Sequence, residues 1–135
     1  MSKKENTFKV AKEYMERSDK AISAAQLLFK NEFFEDAISR AYYSVFHASK
    51  ALLYLLGEDT RTHKGLQVVF GIRVIKEGLL EEKFGRILNK LLSFRESADY
   101  GIVSFISEED ARSAINDAEV FITKIKDVLS VRFNF

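Results

Sequence analysis

The chain contains no proline in 135 residues, and this absence constrains its fold more than any other feature of the sequence. Proline lacks a backbone N–H donor and interrupts helices, so a chain without it can stay helical over long stretches. Apolar residues recur at three- and four-residue spacing through most of the sequence, which is the period of one face of an α-helix. Together these features predict an all-α protein.

The apolar spacing and the end signals divide the chain into three long helices and two shorter ones. We predict long helices over roughly residues 7–30 and 34–56 and from Ser107 to at least Leu129, with shorter ones over roughly residues 64–77 and 80–98. The end signals are Asn31 as a left-handed stop, Gly57 and Gly78 as helix ends, Thr60 or Thr62 as a cap, and a capping box at Ser107-Glu108-Glu109-Asp110. Short polar connections then favour an antiparallel up-and-down bundle of four to five helices, forming one domain over residues 1–135.

The composition excludes several classes of protein and site. The chain has no Cys, which excludes disulfide scaffolds, thiol chemistry and Cys-ligated metal centres. Because it has only two His, we expect no metal site, and we expect no cofactor. A net charge of +1 lacks the overall positive field of a protein that coats nucleic acid. With no apolar run long enough for a signal peptide or a membrane span, we expect a cytoplasmic protein without a membrane partner.

One face of the second helix carries polar aromatic and basic residues that packing does not require. The core stripe of this helix centres near Ile38, Val45 and Leu52. Roughly opposite lie Asp36, Arg40, Tyr43, His47 and Tyr54, with Phe46 at the edge. Arg, His and Tyr combine apolar bodies with hydrogen-bonding tips, whereas a plain solvent face usually carries Lys, Glu and Gln. We therefore expect this face to contact a second protomer, a ligand, or both.

The same residues also have simpler interpretations, which the sequence leaves open. Asp36 and Arg40 have the spacing of an exposed i,i+4 ion pair. Tyr43 and Tyr54 fit equally well as packing aromatics, and His47 fits as a structural histidine. The alignment of Arg40 with His47 on one face is the feature that favours a function.

Two further segments carry candidate binding residues. Residues 60–76 contain no acid and four fixed positive charges, at Arg61, Lys64, Arg73 and Lys76. A helix N-terminus near His63 and Lys64 would add backbone donors for an anion, although a solvated basic helix explains the same charges. Near the end of the fourth helix, Arg95 and Asp99 can pair at i,i+4, which is also explained as a structural helix end.

Three motifs occur in order along the chain: Ser39 to Leu53 (SRAYYSVFHASKALL), Thr62-His63-Lys64-Gly65-Leu66, and Arg95-Glu96-Ser97-Ala98-Asp99-Tyr100. In this order they resemble the HEPN family (higher eukaryotes and prokaryotes nucleotide-binding), specifically its small stand-alone prokaryotic members. The resemblance covers essentially the whole chain. It implies a bundle of four or five helices that commonly forms a homodimer. Such members are often encoded beside a minimal nucleotidyltransferase, as toxin–antitoxin-like pairs.

The resemblance also implies roles for individual residues. Many HEPN proteins are metal-independent endoribonucleases that use an Arg-x(4–6)-His motif from each of two protomers, and Arg40-x6-His47 has this spacing. The late motif, Arg95-x4-Tyr100, has Tyr where active relatives have His, and Tyr is a poor base at pH 7 because its pKa is near ~10. The catalytic candidates are therefore Arg40 as phosphate clamp and His47 as base. The nucleotide-binding candidates are Tyr43, His63, Lys64, Arg95, Asp99 and Tyr100, and the interface candidates are Asp36, Phe46 and Tyr54.

The expected function is a homodimeric nucleotide-binding and interaction module that acts with a minimal nucleotidyltransferase partner. A first alternative is a metal-independent, toxin-like endoribonuclease with a composite site at the dimer interface. A second alternative is a structural helical adaptor. For the binding module and for the endoribonuclease, the expected ligand is a nucleotide or RNA.

Overall fold

The computed structural model of the protein describes residues 2–99 and 106–135, apart from the side chains of residues 98 and 99. These residues form α1 (Lys3–Lys30), α2 (Phe34–Leu55), α3 (His63–Phe70), a π-helical segment (Gly71–Lys76), α4 (Glu82–Asp99) and α5 (Glu108–Phe133). No strand occurs in the described ranges, which confirms the predicted all-α class. Nor does any helix in them combine the length and the apolarity that a membrane crossing requires.

The first helix differs from its prediction at both ends. It begins at Lys3 rather than near Thr7, because the Ser2 hydroxyl accepts a hydrogen bond from the Glu5 backbone N–H at 3.1 Å. The predicted left-handed conformation at Asn31 is wrong by one residue. Asn31 has φ −94° and donates its side-chain amide to the Leu27 carbonyl, while Glu32 takes the left-handed conformation at φ 65°.

The third helical region is more irregular than the predicted single helix over residues 64–77. The Thr62 hydroxyl caps α3 by accepting from the Gly65 backbone N–H at 2.8 Å. The α-helix then ends at Phe70 and continues as the π-helical segment. Leu66, Phe70 and Val74 are buried at a constant spacing of four, which exceeds the 3.6-residue period of an α-helix. The wider turn of the π-helical segment offsets that drift and keeps the three side chains on one side.

The central helix is α2, which packs against α1, α3, α4 and α5. Its core face includes the small residues Ala37, Ala41, Ala48 and Ala51, each 0% exposed, which lets neighbouring helices approach closely. One buried hydrogen bond joins α1 to α2, from the Ser18 hydroxyl to the Ser44 carbonyl at 2.7 Å. The opposite side of α2 is less completely covered. It carries Arg40, which is exposed, and Tyr43 and His47, which are half-buried.

The other helices meet around a group of large aromatic side chains. Phe121 of α5 is 0% exposed and stacks on Phe70 of α3 at 5.7 Å between ring centroids, with Phe84 of α4 6.1 Å away on an edge. The predicted capping box at the start of α5 is confirmed, because Ser107 and Asp110 each bond the backbone N–H of the other. These bonds hold the pKa of the Asp110 carboxyl below its ordinary value.

Candidate functional site

Tyr43, on the outward side of α2, lies at the centre of the candidate site. Its half-buried ring has the guanidinium carbon of Arg40, one turn earlier on α2, 4.6 Å from its centroid. The guanidinium carbon of Arg95, on α4, lies at the same distance of 4.6 Å. Both distances are within the range of cation–π contacts. One ring therefore contacts two guanidinium groups that come from different helices.

Both histidines of the chain border the same ring. His47 stacks on Tyr43 at 6.1 Å with an interplanar angle of 27°, and His63 meets it edge-on at 6.1 Å. Phe46 lies between the two imidazoles, 5.3 Å from His47 and 4.5 Å from His63. We call this group the Tyr43 cluster, and it consists of Arg40, Tyr42, Tyr43, Phe46, His47, His63 and Arg95.

Tyr42 connects the Tyr43 cluster to the core. Its side chain is 0% exposed, and its hydroxyl oxygen lies 2.5 Å from Nδ1 of His63. Burial raises the pKa of the Tyr42 hydroxyl above its ordinary value, so the group keeps its proton at neutral pH. With a neutral imidazole, the hydroxyl donates to Nδ1 and the ring hydrogen of His63 is on Nε2. This hydrogen bond orients the His63 ring.

His47 is held in its neutral form. Burial, followed by the positive charges of Arg17, Lys50 and Arg40, lowers the pKa of His47 from 6.5 to about 4. Its Nδ1 is buried, and no residue that the structure describes hydrogen-bonds to it. At pH 7 the cluster therefore combines a neutral imidazole with permanently charged guanidinium groups. An anionic ligand suits this arrangement, because it would offset the positive charges of the guanidinium groups.

The remaining candidates near the start of α2 are distributed around the Tyr43 cluster. Asp36 is exposed and, with Arg95, borders a cavity of about 150 Å³ between α2 and α4. Within residues 2–99 and 106–135, Arg40 forms no ion pair with Asp36 or any other carboxylate, so the i,i+4 pair is not formed. Phe46 packs inside the cluster rather than at its edge.

Candidates in other parts of the fold have separate surroundings. Lys64 is exposed on the first turn of α3, directly after His63. Tyr54 packs edge-on against Tyr14 of α1, with 6.2 Å between the ring centroids. The side chain of Asp99 and all of Tyr100 lie outside the described residues, so the predicted pairing of Asp99 with Arg95 stays a prediction.

Arg73 is one of the four positive charges counted in residues 60–76, and in the structure it forms ion pairs with two carboxylates. Its guanidinium contacts the Glu58 carboxylate at 2.7 Å and the Glu77 carboxylate at 3.0 Å. Both acids lie just outside the segment whose charges were counted. Nearby, Lys50 donates to the Thr60 carbonyl at 2.7 Å. Arg73 and Lys50 therefore tie down the connection that places His63 against the cluster.

Tyr42 is a member of the cluster that is not among the site candidates predicted from the sequence. A polar tip at a core position is a usable signal, because a buried tyrosine hydroxyl normally has a hydrogen-bond partner. The residue that provides the partner, His63, is 21 positions away. Only the packing of α3 on α2 identifies it.

Among the described residues, no three His, Asp or Glu side chains are arranged to hold a metal ion. The arrangement instead offers cations, aromatic faces and two imidazoles. Arginine forks bind phosphate, aromatic faces stack on bases, and a neutral imidazole can accept a proton. The chemistry available at the site is therefore binding of a phosphate-bearing aromatic ligand, with proton transfer possible at two imidazoles.

Comparison with known protein families matches residues 11–128 to the HEPN domain. "Putative toxin MJ0605" of Methanocaldococcus jannaschii is 40% identical over 115 residues, which cover 85% of each chain. "Putative toxin MJ0142" of the same organism is 30% identical over 115 residues, covering 85% of this chain and 78% of the other. A "UPF0332 protein" of Thermotoga maritima is 30% identical over 121 residues, covering 90% and 92%. The protein described here therefore belongs to the HEPN domain family.

Proposed function

We propose that the Tyr43 cluster binds a nucleotide, free or as a unit of RNA, through its phosphate and its base. The observation that carries this proposal is the pair of guanidinium groups, from Arg40 and Arg95, each 4.6 Å from the Tyr43 ring. A homodimer and a minimal nucleotidyltransferase partner, which the family resemblance implies, belong to the same proposal. Binding at the cluster does not depend on either of them.

Phosphate recognition is supported by the state of Arg40. A guanidinium presents a planar fork of donors that matches the oxygens of a phosphate. Arg40 is exposed and has no carboxylate partner in the described part of the chain. Its contact with the Tyr43 ring restrains the side chain while leaving its donors available. A phosphate bound by Arg40 would lie beside the ring that the Arg95 guanidinium also contacts.

Base recognition is supported by the aromatic rings around the arginines. Tyr43, Phe46 and His47 are all half-buried, so these aromatic residues are in part accessible to a base. Bases stack on such rings whatever their sequence, with about 1–3 kcal/mol for each stacked base. Because His47 is neutral, its ring can join this platform without adding charge.

A test of binding uses matched arginine variants and fluorescence anisotropy with a labelled oligoribonucleotide. We expect Arg40→Ala and Arg95→Ala each to weaken binding about tenfold, which corresponds to ~1.4 kcal/mol. Arg86→Ala is the control, because Arg86 lies on the same helix as Arg95 and its one ion pair among the described residues is with Glu82, at 3.8 Å. The proposal is wrong if all three variants bind as tightly as the wild type.

Metal-independent RNA cleavage is a second candidate function, favoured by the presence of two imidazoles beside two guanidinium groups. In such a reaction a base removes the 2′-hydroxyl proton, the 2′ oxygen attacks phosphorus, and an acid protonates the leaving 5′ oxygen. Arginine stabilises the charge on the transition state. In this reaction Arg40 would be the phosphate clamp and His47, neutral at pH 7, the base. His63, which Tyr42 orients, would be a second group for proton transfer.

The cleavage candidate is tested by incubating labelled RNA with the protein in EDTA. We expect slow cleavage by the wild type, and a loss of cleavage by His47→Ala or His63→Ala that is much larger than any loss of binding. Absence of cleavage by the wild type, together with normal binding, would exclude the enzyme and leave the binding function. Light scattering measures the oligomeric state in parallel, and a strict monomer would contradict the proposed homodimer.

A further inference from the structure

We infer that the Tyr43 cluster is one end of a longer track for a single-stranded oligonucleotide, and that Arg17 and Lys50 form a second phosphate subsite at the other end. This inference rests on the proposed function, because it extends the same binding surface. It also defines the ligand more narrowly, as an oligonucleotide rather than a mononucleotide.

The second subsite repeats the arrangement found around Tyr43. The guanidinium carbon of Arg17, on α1, lies 5.9 Å from the centroid of the Tyr14 ring. The ammonium nitrogen of Lys50, on α2, lies 5.2 Å from the same centroid. As at Tyr43, one aromatic ring holds two cations that come from different helices. Tyr54 packs edge-on against Tyr14 and so supports the ring.

The two subsites adjoin through Phe46 and His47. The Lys50 ammonium nitrogen is 5.9 Å from the Phe46 ring, which itself belongs to the Tyr43 cluster. His47 is influenced by both subsites, since the positive charges of Arg17, Lys50 and Arg40 all lower the pKa of its imidazole. The positive surface is therefore continuous rather than divided into two separate patches.

Three of the cations along this track have no acidic partner among the described residues. Among residues 2–99 and 106–135, none of Arg17, Arg40 and Lys50 forms an ion pair with a carboxylate, whereas Arg73, Arg112 and Lys126 do. Cations that are placed on rings and left without counter-charges suit a polyanion whose bases can stack between them.

Unsatisfied polar atoms lie beside the second subsite. The Thr60 hydroxyl and Nδ1 of His47 are buried without a hydrogen-bond partner among the described residues. The Thr60 carbonyl accepts from Lys50 at 2.7 Å, which places this residue next to the subsite and holds the ammonium group in position. The hydrogen bond to Thr60 therefore fixes the position of the Lys50 ammonium group in the second subsite.

The spacing of the subsites sets the length of the ligand. Arg40 and Lys50 are ten residues apart on α2, which corresponds to a rise of about 15 Å. A stacked strand advances by about 3.4 Å for each nucleotide. A ligand that reaches both subsites therefore needs about four nucleotides.

The test compares adenosine 5′-monophosphate with oligoriboadenylates of two, four and eight residues, titrated at several salt concentrations. We expect the affinity of the wild type to rise with length up to about four nucleotides, the length that spans both subsites. We expect Arg17→Ala to weaken binding of the octamer about tenfold and to make the slope of log K against log salt shallower by about 0.7, as loss of one phosphate contact does. Binding of the monophosphate by this variant should not change.

Lys12→Ala is the matched control. It removes one positive charge from an exposed position on α1, about 140° around the helix from Arg17. Arg17 is itself exposed and contacts only the Tyr14 ring among the described residues, so its loss should not impair folding. We expect Lys12→Ala to match the wild type in both affinity and salt slope.

The possible results separate this inference from the proposed function. Normal octamer binding by Arg17→Ala, together with weak binding by Arg95→Ala, would overturn the second subsite and keep the first. The reverse pattern would overturn the proposed function and keep the second subsite. Failure of the wild type to bind any of the probes would overturn both. If Arg17→Ala alters only the monomer–dimer equilibrium in light scattering, the surface belongs to a second copy of the chain and the inference is wrong.

Discussion

Arg40 and Arg73 are both basic residues of the central part of the chain, yet the fold gives them opposite surroundings. Arg73 contacts two carboxylates, at 2.7 Å from Glu58 and 3.0 Å from Glu77, and it ties down the connection between α2 and α3. Arg40 contacts the Tyr43 ring at 4.6 Å and has no carboxylate partner among the described residues. The comparison indicates that Arg73 serves the structure and that Arg40 is available for a ligand.

Arg40 and Arg73 differ because of the side chains that pack around them, and the number of charges in the surrounding sequence does not predict the difference. Residues 60–76 contain no acid, but Glu58 and Glu77 lie just beyond the two ends of that segment and both reach Arg73. Asp36, in contrast, has the i,i+4 spacing to pair with Arg40, and the ion pair is not formed. An excess of basic residues in a segment is therefore a weak indication of an anion site, whereas a cation held on an aromatic ring is a stronger one.

The largest effect on stability should follow the loss of the Arg73 side chain. Arg73→Ala removes two ion pairs and leaves Glu58, about one-third exposed, without its partner. We expect the free energy of unfolding to fall by about 1–2 kcal/mol, measured by urea denaturation. Arg112→Ala is the control, because Arg112 also contacts two carboxylates but is half-exposed, at 48%. If the two variants lose equal free energy of unfolding, Arg73 does not have the structural role assigned to it.

Tyr42→Phe tests the hydrogen bond that joins the α3 connection to the Tyr43 cluster. Loss of the hydroxyl removes the contact with Nδ1 of His63, so we expect a loss of about 1 kcal/mol and a change in the NMR signals of the His63 ring. Tyr54→Phe is the control, since Tyr54 lies on the same helix and its hydroxyl has no hydrogen-bond partner among the described residues. Unchanged His63 signals in Tyr42→Phe would show that Tyr42 does not orient the ring.

The neutral state of His47 predicts a pH dependence of stability. Between pH 6.5 and about 4 the unfolded chain binds a proton at His47 that the folded chain does not bind. Stability should therefore fall as the pH falls through this window. Above pH 6.5 the protonation of His47 should make no contribution to the pH dependence of stability. We expect His47 to account for about 1 kcal/mol of this fall, less than full burial would cause, because solvent screens the exposed side of the ring.

The measurement compares urea denaturation of the wild type and His47→Gln at pH 7 and pH 4.5. The carboxylates titrate in both proteins, so the difference between them isolates the contribution of His47. A wild type that loses no more stability than His47→Gln on acidification would contradict the neutral, desolvated state of this ring.

Arg40→Ala should have the smallest effect on stability and so sharpen the contrast with Arg73. The Arg40 side chain is exposed and unpaired within the described ranges, so we expect a change of less than about 0.5 kcal/mol in the free energy of unfolding. Arg86→Ala, which removes an exposed arginine from α4, should give a change of similar size. A loss for Arg40→Ala as large as that for Arg73→Ala would assign Arg40 to the structure instead of the ligand site.

Much of the fold could be predicted because its signals are local. The apolar spacing identifies α2 within one residue at its end, and the capping box of α5 lies where Ser107 and Asp110 predict it. The shared face of Arg40, Tyr43 and His47 also follows from helical spacing alone. The π-helical segment did not follow, because one wider turn changes the apolar period too little to be distinguished in a segment this short.

The sequence by itself determined the all-α class, the outward stripe of α2 and the absence of thiol chemistry, because helix period and composition are properties of neighbouring residues. Only the tertiary structure decided that Arg95 of α4 shares the Tyr43 ring with Arg40, that Tyr42 orients His63, and that Arg73 is neutralised. It also placed Arg17 of α1 beside Lys50 of α2 on the Tyr14 ring. Contacts between helices depend on how the faces pack around a common core, and no periodicity within one helix records that packing.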